Sequence, residues 1–450
     1  MAGNADDKLT VNANPTKMLF ISMLTRDIAL VPAIIDLADN ACDGARRLRG
    51  DRSLKGLSIR IETSQTHFKI ADNCGGIDAD TARNYAFRFG RDEDTPPLKH
   101  SIGQFGVGMK RALFKLASAF RVKSTTPTSR FVIDVDVAVW AKDRDNWTFK
   151  FTSLDESAKI PEDDCGTIIE VTKLKPDVAA EFGPGHFEAS LKTELQTRLQ
   201  QPLARGLSVT LNGVPIDAEP LRVLADKRLS PAFLDAEYPG QSKGKPVRVR
   251  LYCGLGASED RAAAGWHVFC NGRLVLEGDK SEQTGWGEKR KTAIPAFHPQ
   301  YNHFRGYAYF DCDDAGSLPW NTTKTGLNAD SAVYRAALED MMRLMRPVID
   351  FLNRLKEEKE RTQDPNGQGP LAKMVTDSTE KAVDHVATRD VFVTPVVKQV
   401  RGAAGPVLQR IQYDRPLKKV RAVMAQLGVS SYKAAGEKTF DYYYNAEVEE

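Results

Sequence analysis

"DLADNACDGA", residues 36–45, is the stretch on which the reading of this chain turns. It lies within "DIALVPAIIDLADNACDGARRLR" (residues 27–49), whose apolar residues recur at helical spacing. Asp36 and Asn40 stand at i and i+4, and Asp43 follows a turn later, so all three project from one helix face. A polar stripe on an otherwise apolar helix is ordinarily solvated surface. A carboxylate and a carboxamide stacked at that spacing also suit a magnesium ion and an attacking water.

Three further segments bear on the choice. "KIADNCGGID" (residues 69–78) ends a strand in Asp72 and runs at once into a glycine turn. Taken alone it is an ordinary β-turn, because Asp, Asn and Gly are turn formers. "HSIGQFGVGMKRALFKLA" (residues 100–117) carries Gly103, Gly106 and Gly108 ahead of a helical pattern. Its G-x-x-G-x-G order reverses the dinucleotide fingerprint, and no strand directly precedes it. A P-loop fails too, since Lys110 is followed by Arg111 and not by Ser or Thr. What remains is a helix start with glycines for turn geometry, or a cradle of backbone N–H groups for an anion. Finally, "CGTIIEVTKL" (residues 165–174) places Gly166 and Thr167 at the start of a strand.

Composition narrows the function classes. The 450 residues are 41% hydrophobic and 27% charged, as in ordinary globular proteins, and suffice for two to four domains. With 63 basic against 60 acidic residues the net charge is +3, so no global electrostatic argument for a nucleic-acid partner follows. Six scattered cysteines form no C-x-x-C pair, against a zinc site or a disulfide framework. No apolar run of about 18 residues occurs, and the N-terminus lacks an apolar signal core. The expectation is a cytoplasmic protein with no membrane partner.

Residues 1–15 read as a polar tail. Residues 16–180 alternate helical and β patterns without repeated βαβ crossovers. "SAFRVKSTTPTSRFVIDVDVAVW" (residues 118–140), "WTFKFTSL" and "GTIIEVTKL" are β-rich. A second unit spans 187–330, with the helix "FEASLKTELQTRLQQPLARG" and the strands "LSVTLNGVPID", "KPVRVRLYCGLG", "WHVFCNGRLVLEG" and "FRGYAYFDC". Residues 331–362 read as a long amphipathic helix with Pro347 as a kink position. A linker at 363–370 and a C-terminal module at 371–450 follow. That module holds a basic stretch, the aromatic run "FDYYY" and a helix capped by Ser430 or Ser431.

The ordered set D-x-x-x-N, D-N-x-G-G-I, the glycine box and G-T before a strand resembles the GHKL nucleotide-binding superfamily. That group comprises gyrase, the ninety-kilodalton heat-shock chaperones, histidine kinases and MutL-type repair proteins. "SIGQFGVGMKRAL" looks most like the MORC and heat-shock-chaperone branches. The resemblance implies an α/β (α+β) fold: a Bergerat-type α/β sandwich followed by a transducer domain of the ribosomal-small-subunit type. It implies ATP and Mg²⁺ as ligands, slow ATP hydrolysis, and an ATP-dependent homodimer acting as a clamp.

Residue by residue, the resemblance makes Asp36 the general base and Asn40 the Mg²⁺ ligand. Asp72 would accept from the adenine amino group with help from Thr167, and Gly76 would let the base approach. Gly103, Gly106, Val107, Gly108 and Met109 would offer backbone N–H groups to the phosphates, with Ser101, Gln104, Phe105, Lys110 and Asp43 completing the nucleotide site. A lid would span about 78–108. "LPWNTTKTGLN" looks like the transducer loop, making Lys324 the cation at the γ-phosphate. Its plain alternative is a surface lysine. Two residues depart from the family pattern. Asp36 replaces the usual Glu, shortening the reach by one methylene, so either the helix sits closer, or hydrolysis is slow, or the protein is mainly a nucleotide-binding switch with little hydrolysis. Cys74 stands where the first glycine of the turn is expected. For the client, DNA, in the manner of MORC or MutL, competes with protein in the manner of a chaperone. A histidine kinase is disfavoured, because a transducer-like unit follows the ATPase domain.

Overall fold

A computed structural model describes residues 11, 16–26, 28–90, 102, 107–240, 245–288, 294–321, 324–361, 369–387, 389–394 and 411–448. The chain forms two compact units, Met1–Val396 and Val397–Glu450.

In the first unit, α1 (Lys17–Arg26) and α2 (Leu30–Arg49) precede the hairpin β1 (Ser58–Thr63) and β2 (Phe68–Asp72). The single turn α3 (Ala79–Thr81), a π-helical turn at Ala82–Ala86 and α4 (Gly108–Leu116) come next. Then follow β3 (Ala117–Thr125), β4 (Arg130–Asp136), α5 (Val137–Lys142), β5 (Phe151–Asp155) and β6 (Gly166–Leu174). The alternation in β1 buries Ile59 and Ile61 and exposes Arg60 and Glu62, as period two requires. α2 is buried along most of its length, and its last turn carries Arg46, Arg47 and Arg49 at the favourable end of the helix dipole.

One expected strand is a helix. "VAVW" (residues 137–140) turns helical as α5, because the Asp136 carboxylate accepts the N–H of Val139 and caps the turn. Val137 and Trp140 are then buried one turn apart. Local capping and the burial of Trp140 outweigh the β-propensity of the valines.

The chain next forms α6 (Pro176–Glu181), α7 (Gly185–Arg198), α8 (Gln200–Ala204), β7 (Ser208–Leu211) and β8 (Val214–Pro215). Read as part of the second unit, "LSVTLNGVPI" instead joins the first sheet, whose order is β5-β4-β3-β6-β2-β1-β7-β8. β7 pairs parallel with β1, Ser58 opposite Ser208. Val209 and Leu211 extend the buried row of Ile59 and Ile61, so this edge of β1 is covered rather than left open. α2 and α4 lie against the sheet and each other, with α1 on α4 and α7 on α2.

The remaining strands are β9 (Arg222–Leu224), β10 (Ala232–Tyr238), β11 (Val247–Leu255), β12 (Gly265–Cys270), β13 (Arg273–Asp279) and β14 (Phe304–Asp311). β10-β11-β14-β12-β13 make a second sheet with β12 parallel to β14. α9 (Ala332–Arg361) packs on β11 and continues through Pro347. α10 (Pro370–Asp377) lies on α9, and β15 (Glu380–Ala382) pairs with β9. Residues 370–394 therefore belong to the first unit and not to the C-terminal module expected from 371.

In the second unit, α11 (Leu417–Leu427) and α12 (Tyr432–Glu447) contact each other, and the Ser431 hydroxyl caps α12 by accepting from Ala434. Phe440, Tyr442, Tyr443 and Tyr444 are exposed.

Candidate functional site

α2, the glycine turn after β2, the first turn of α4 and the start of β6 converge on one cleft. Leu37, Asn40, Ala41 and Gly44 of α2 form one wall. Arg47, Ile70, Asp72, Cys74, Gly76 and Ile77, then Met109 of α4, and Thr167 and Ile169 of β6 complete the lining. The D-x-x-x-N, D-N-x-G-G and G-T segments thus meet around a single opening.

Asp72 is one of its lining residues. One carboxylate oxygen accepts the N–H groups of Cys74 at 2.8 Å and Thr167 at 3.3 Å. Burial raises its pKa to about 6, although both N–H groups and the charges of Arg47 and Arg60 pull the other way. Arg47, another cleft residue, was not among the expected site residues. The glycines around Asp72 have packing reasons. A Cβ on Gly166 would lie 1.9 Å from the Asp72 carbonyl oxygen, and one on Gly76, at φ +70°, would lie 2.1 Å from that of Thr125. Gly76 therefore admits a neighbouring strand, which is a different need from room for a base. Cys74 is buried with its thiol pushed far above the usual range by burial, so it serves as packing.

The polar face of α2 is not solvated surface. Asp36 is 3% and Asp43 6% exposed. Asp43 accepts the backbone N–H of Ile102 through both oxygens, at 2.8 and 3.0 Å. Asn40 is exposed on the cleft wall, and no hydrogen bond to a described residue engages its carboxamide. A hard oxygen held free at a cleft mouth fits a magnesium ion, which keeps most of its shell for water and phosphate. Val107 gives α4 no side-chain cap, so N–H groups of its first turn, beside the cleft residue Met109, are left without a capping side chain. Ser101, Gly103, Gln104, Phe105 and Gly106 lie outside the described residues, as does most of the expected lid. Lys110 is buried away from the cleft wall: its ammonium donates to the Ala86 carbonyl at 2.9 Å, and burial lowers its pKa to about 7.

Asp36 sits among cations. Its Oδ2 receives the Arg111 guanidinium at 2.5 Å, and its Oδ1 lies 3.5 Å from Lys324 Nζ. Burial pushes its pKa up, but Lys324 and Arg111 outweigh burial and hold the carboxylate below its ordinary value. The same ammonium is 3.5 Å from Asp39 Oδ2. Lys324 is therefore no surface lysine: it is 5% exposed. Its loop is closed by a bridge between Trp320 and Leu327 and a hydrogen bond from Asn321 N to the Gly326 carbonyl. Lys324 itself has φ +55°, a left-handed conformation that costs about 1–2 kcal/mol outside glycine.

Asp39 and Arg273 escaped the sequence reading. Arg273 Nη1 bonds both oxygens of Asp39, at 2.6 and 2.7 Å, in a pair nearly sealed from solvent. Arg273 follows the Asn271-Gly272 turn that joins β12 to β13, with φ +45° and +73°. A Cβ on Gly272 would lie 1.9 Å from Gln201 Oε1 and 2.2 Å from Arg46 Nη2, so the hairpin tip packs closely against side chains of α8 and α2. In sequence Asp39 is an acid beside the Asp36–Asn40 stripe, and nothing local links it to a residue 234 positions away.

All six cysteines are free and buried. Among the described residues no helix is long and apolar enough to cross a membrane. No curated protein matches the chain. Residues 28–167 match the family model of histidine kinase-, DNA gyrase B- and HSP90-like ATPases. That range runs from the start of α2 to Thr167 and contains the cleft residues up to that point. Residues 28–167 therefore form an ATPase domain of the GHKL superfamily.

Proposed function

We propose that this chain is a Mg²⁺-dependent ATPase that works as an ATP-gated, dimerising clamp. The observation carrying the reading is the meeting of Lys324, from beyond the second sheet, with Asp36 on α2 inside the ATP-binding domain. Asp72 accepts from the adenine amino group, and its carboxylate is already oriented by Cys74 and Thr167. The open first turn of α4 takes the phosphates, and Asn40 holds magnesium, which neutralises phosphate charge when bound. Lys324 stabilises charge developing at the terminal phosphate.

Asp36 orients the attacking water once its cations turn to the phosphate. Two features make hydrolysis slow. Asp36 has a shorter reach than Glu, and a misplacement of about 1 Å lowers a rate around 100-fold. Its carboxylate is also drawn into ion pairs, which weakens it as a base. Because Arg273 and Lys324 tie the second sheet and its following loop to α2, a nucleotide that rearranges these pairs shifts both parts together.

DNA is the client we favour. The support is an exposed basic stretch in the second unit, with Arg415, Lys418, Lys419 and Arg421 at and in α11. The glycine-box likeness to MORC proteins points the same way, and the six buried thiols suit a reducing cytoplasm. Calorimetry with ATP and Mg²⁺ tests the core. Wild type is expected to bind and Asp72→Asn to fail; equal binding by both removes the site assignment. DNA binding that strengthens with ATP and weakens steeply with salt supports the client. ATP-dependent capture of unfolded protein without DNA binding would replace it by the chaperone-like reading.

A further inference from the structure

Arg111 enters the roles above only as an ion-pair partner of Asp36, yet it makes the shortest contact in the charged cluster. It lies in the first turn of α4, and its guanidinium meets Asp36 Oδ2 at 2.5 Å. Its Nε is buried with no hydrogen-bond partner among the described residues. The same Asp36 oxygen lies 3.5 Å from where a Cβ would stand on Gly108, at the uncapped start of α4. The other Asp36 oxygen faces Lys324. Two guanidinium groups and an ammonium (Arg111, Arg273, Lys324) thus surround two carboxylates (Asp36, Asp39), leaving one positive charge in excess. A helix N-terminus and two cations converging on one carboxylate form an anion site occupied by the protein's own side chain.

From this arrangement we infer that Arg111 reads the terminal phosphate of the nucleotide, exchanging Asp36 for that phosphate and so distinguishing ATP from ADP. The inference rests on the ATP reading above. Arg111 shares its carboxylate with Lys324, so a phosphate that draws Lys324 also competes for Arg111. A guanidinium suits the exchange, because its planar fork pairs with carboxylate and phosphate alike and its spare Nε–H is already desolvated. Released by the exchange, Asp36 becomes free to orient water. In the diphosphate state it stays paired.

The test measures dissociation constants for ADP and for a non-hydrolysable ATP analogue, both with Mg²⁺, on the full chain. Arg111→Gln is expected to weaken the analogue roughly tenfold to 100-fold while ADP stays within about twofold. Arg111→Lys should recover part of the loss. Asp36→Asn removes the competing internal charge and should raise the preference for the analogue over ADP. An unchanged ratio in Arg111→Gln, or equal losses for both nucleotides, overturns the inference. Should that variant not fold, Asp36→Asn decides, and a preference that stays level or falls is refutation. Wild type that binds neither nucleotide defeats the ATP reading and this inference with it. Wild type that binds both, with a ratio indifferent to these changes, defeats this inference alone.

Discussion

Asp72→Asn should make the folded chain more stable at neutral pH while removing its nucleotide affinity. The Asp72 carboxyl moves from an ordinary value of 3.8 to about 6 in the fold because burial disfavours its charge. At about 1.36 kcal/mol per tenfold, that is about 3 kcal/mol of destabilisation at pH 7. The sign follows from the raised pKa. Above pH 6 both states are ionised and the penalty is full. As pH falls from 6 towards 3.8 the folded state takes up its proton first and the penalty disappears. Asparagine keeps the acceptor oxygen for Cys74 and Thr167 and carries no charge. Urea melts of both proteins at pH 7.5 and pH 4.5 should therefore show a gain of up to about 3 kcal/mol at the higher pH that shrinks at the lower. Binding should move the other way, because an amide NH₂ facing the adenine amino group sets donor against donor. A loss of about 100-fold or more is expected by calorimetry. A variant less stable than wild type at pH 7.5, or one that binds ATP normally, would refute the reasoning.

Other substitutions probe the rest of the site. Arg273→Ala leaves Asp39 buried with only the more distant Lys324, and a loss of about 3–5 kcal/mol is expected in denaturant melts. Gly76→Ala forces a Cβ to within 2.1 Å of the Thr125 carbonyl at a left-handed backbone, and should lower stability by about 2 kcal/mol or more. Asp36→Asn should retain ATP binding and lose steady-state phosphate release; persistent turnover would place the base elsewhere.

Part of this protein is determined locally, and there the sequence is legible. Period-two alternation marks β1 and β2, and the spacing of Asp36, Asn40 and Asp43 marks one face of α2. The order of the D-x-x-x-N, D-N-x-G-G-I and G-T segments suffices for the superfamily, because each needs its residue types at short fixed spacing. Elsewhere the outcome depends on partners distant in the chain. The hairpin "LSVTLNGVPI" reads correctly as two strands, but whether it joins the first or second sheet depends on which edge has an apolar row to extend. Only the family resemblance sets Lys324 apart from a surface lysine in the sequence, whereas the fold brings it against two buried carboxylates. The Asp39–Arg273 pair and the grip of Arg111 on Asp36 belong to tertiary structure alone. Buried charge is tolerated only where an opposite charge is brought to it, and the fold, not the local pattern, decides which charges meet.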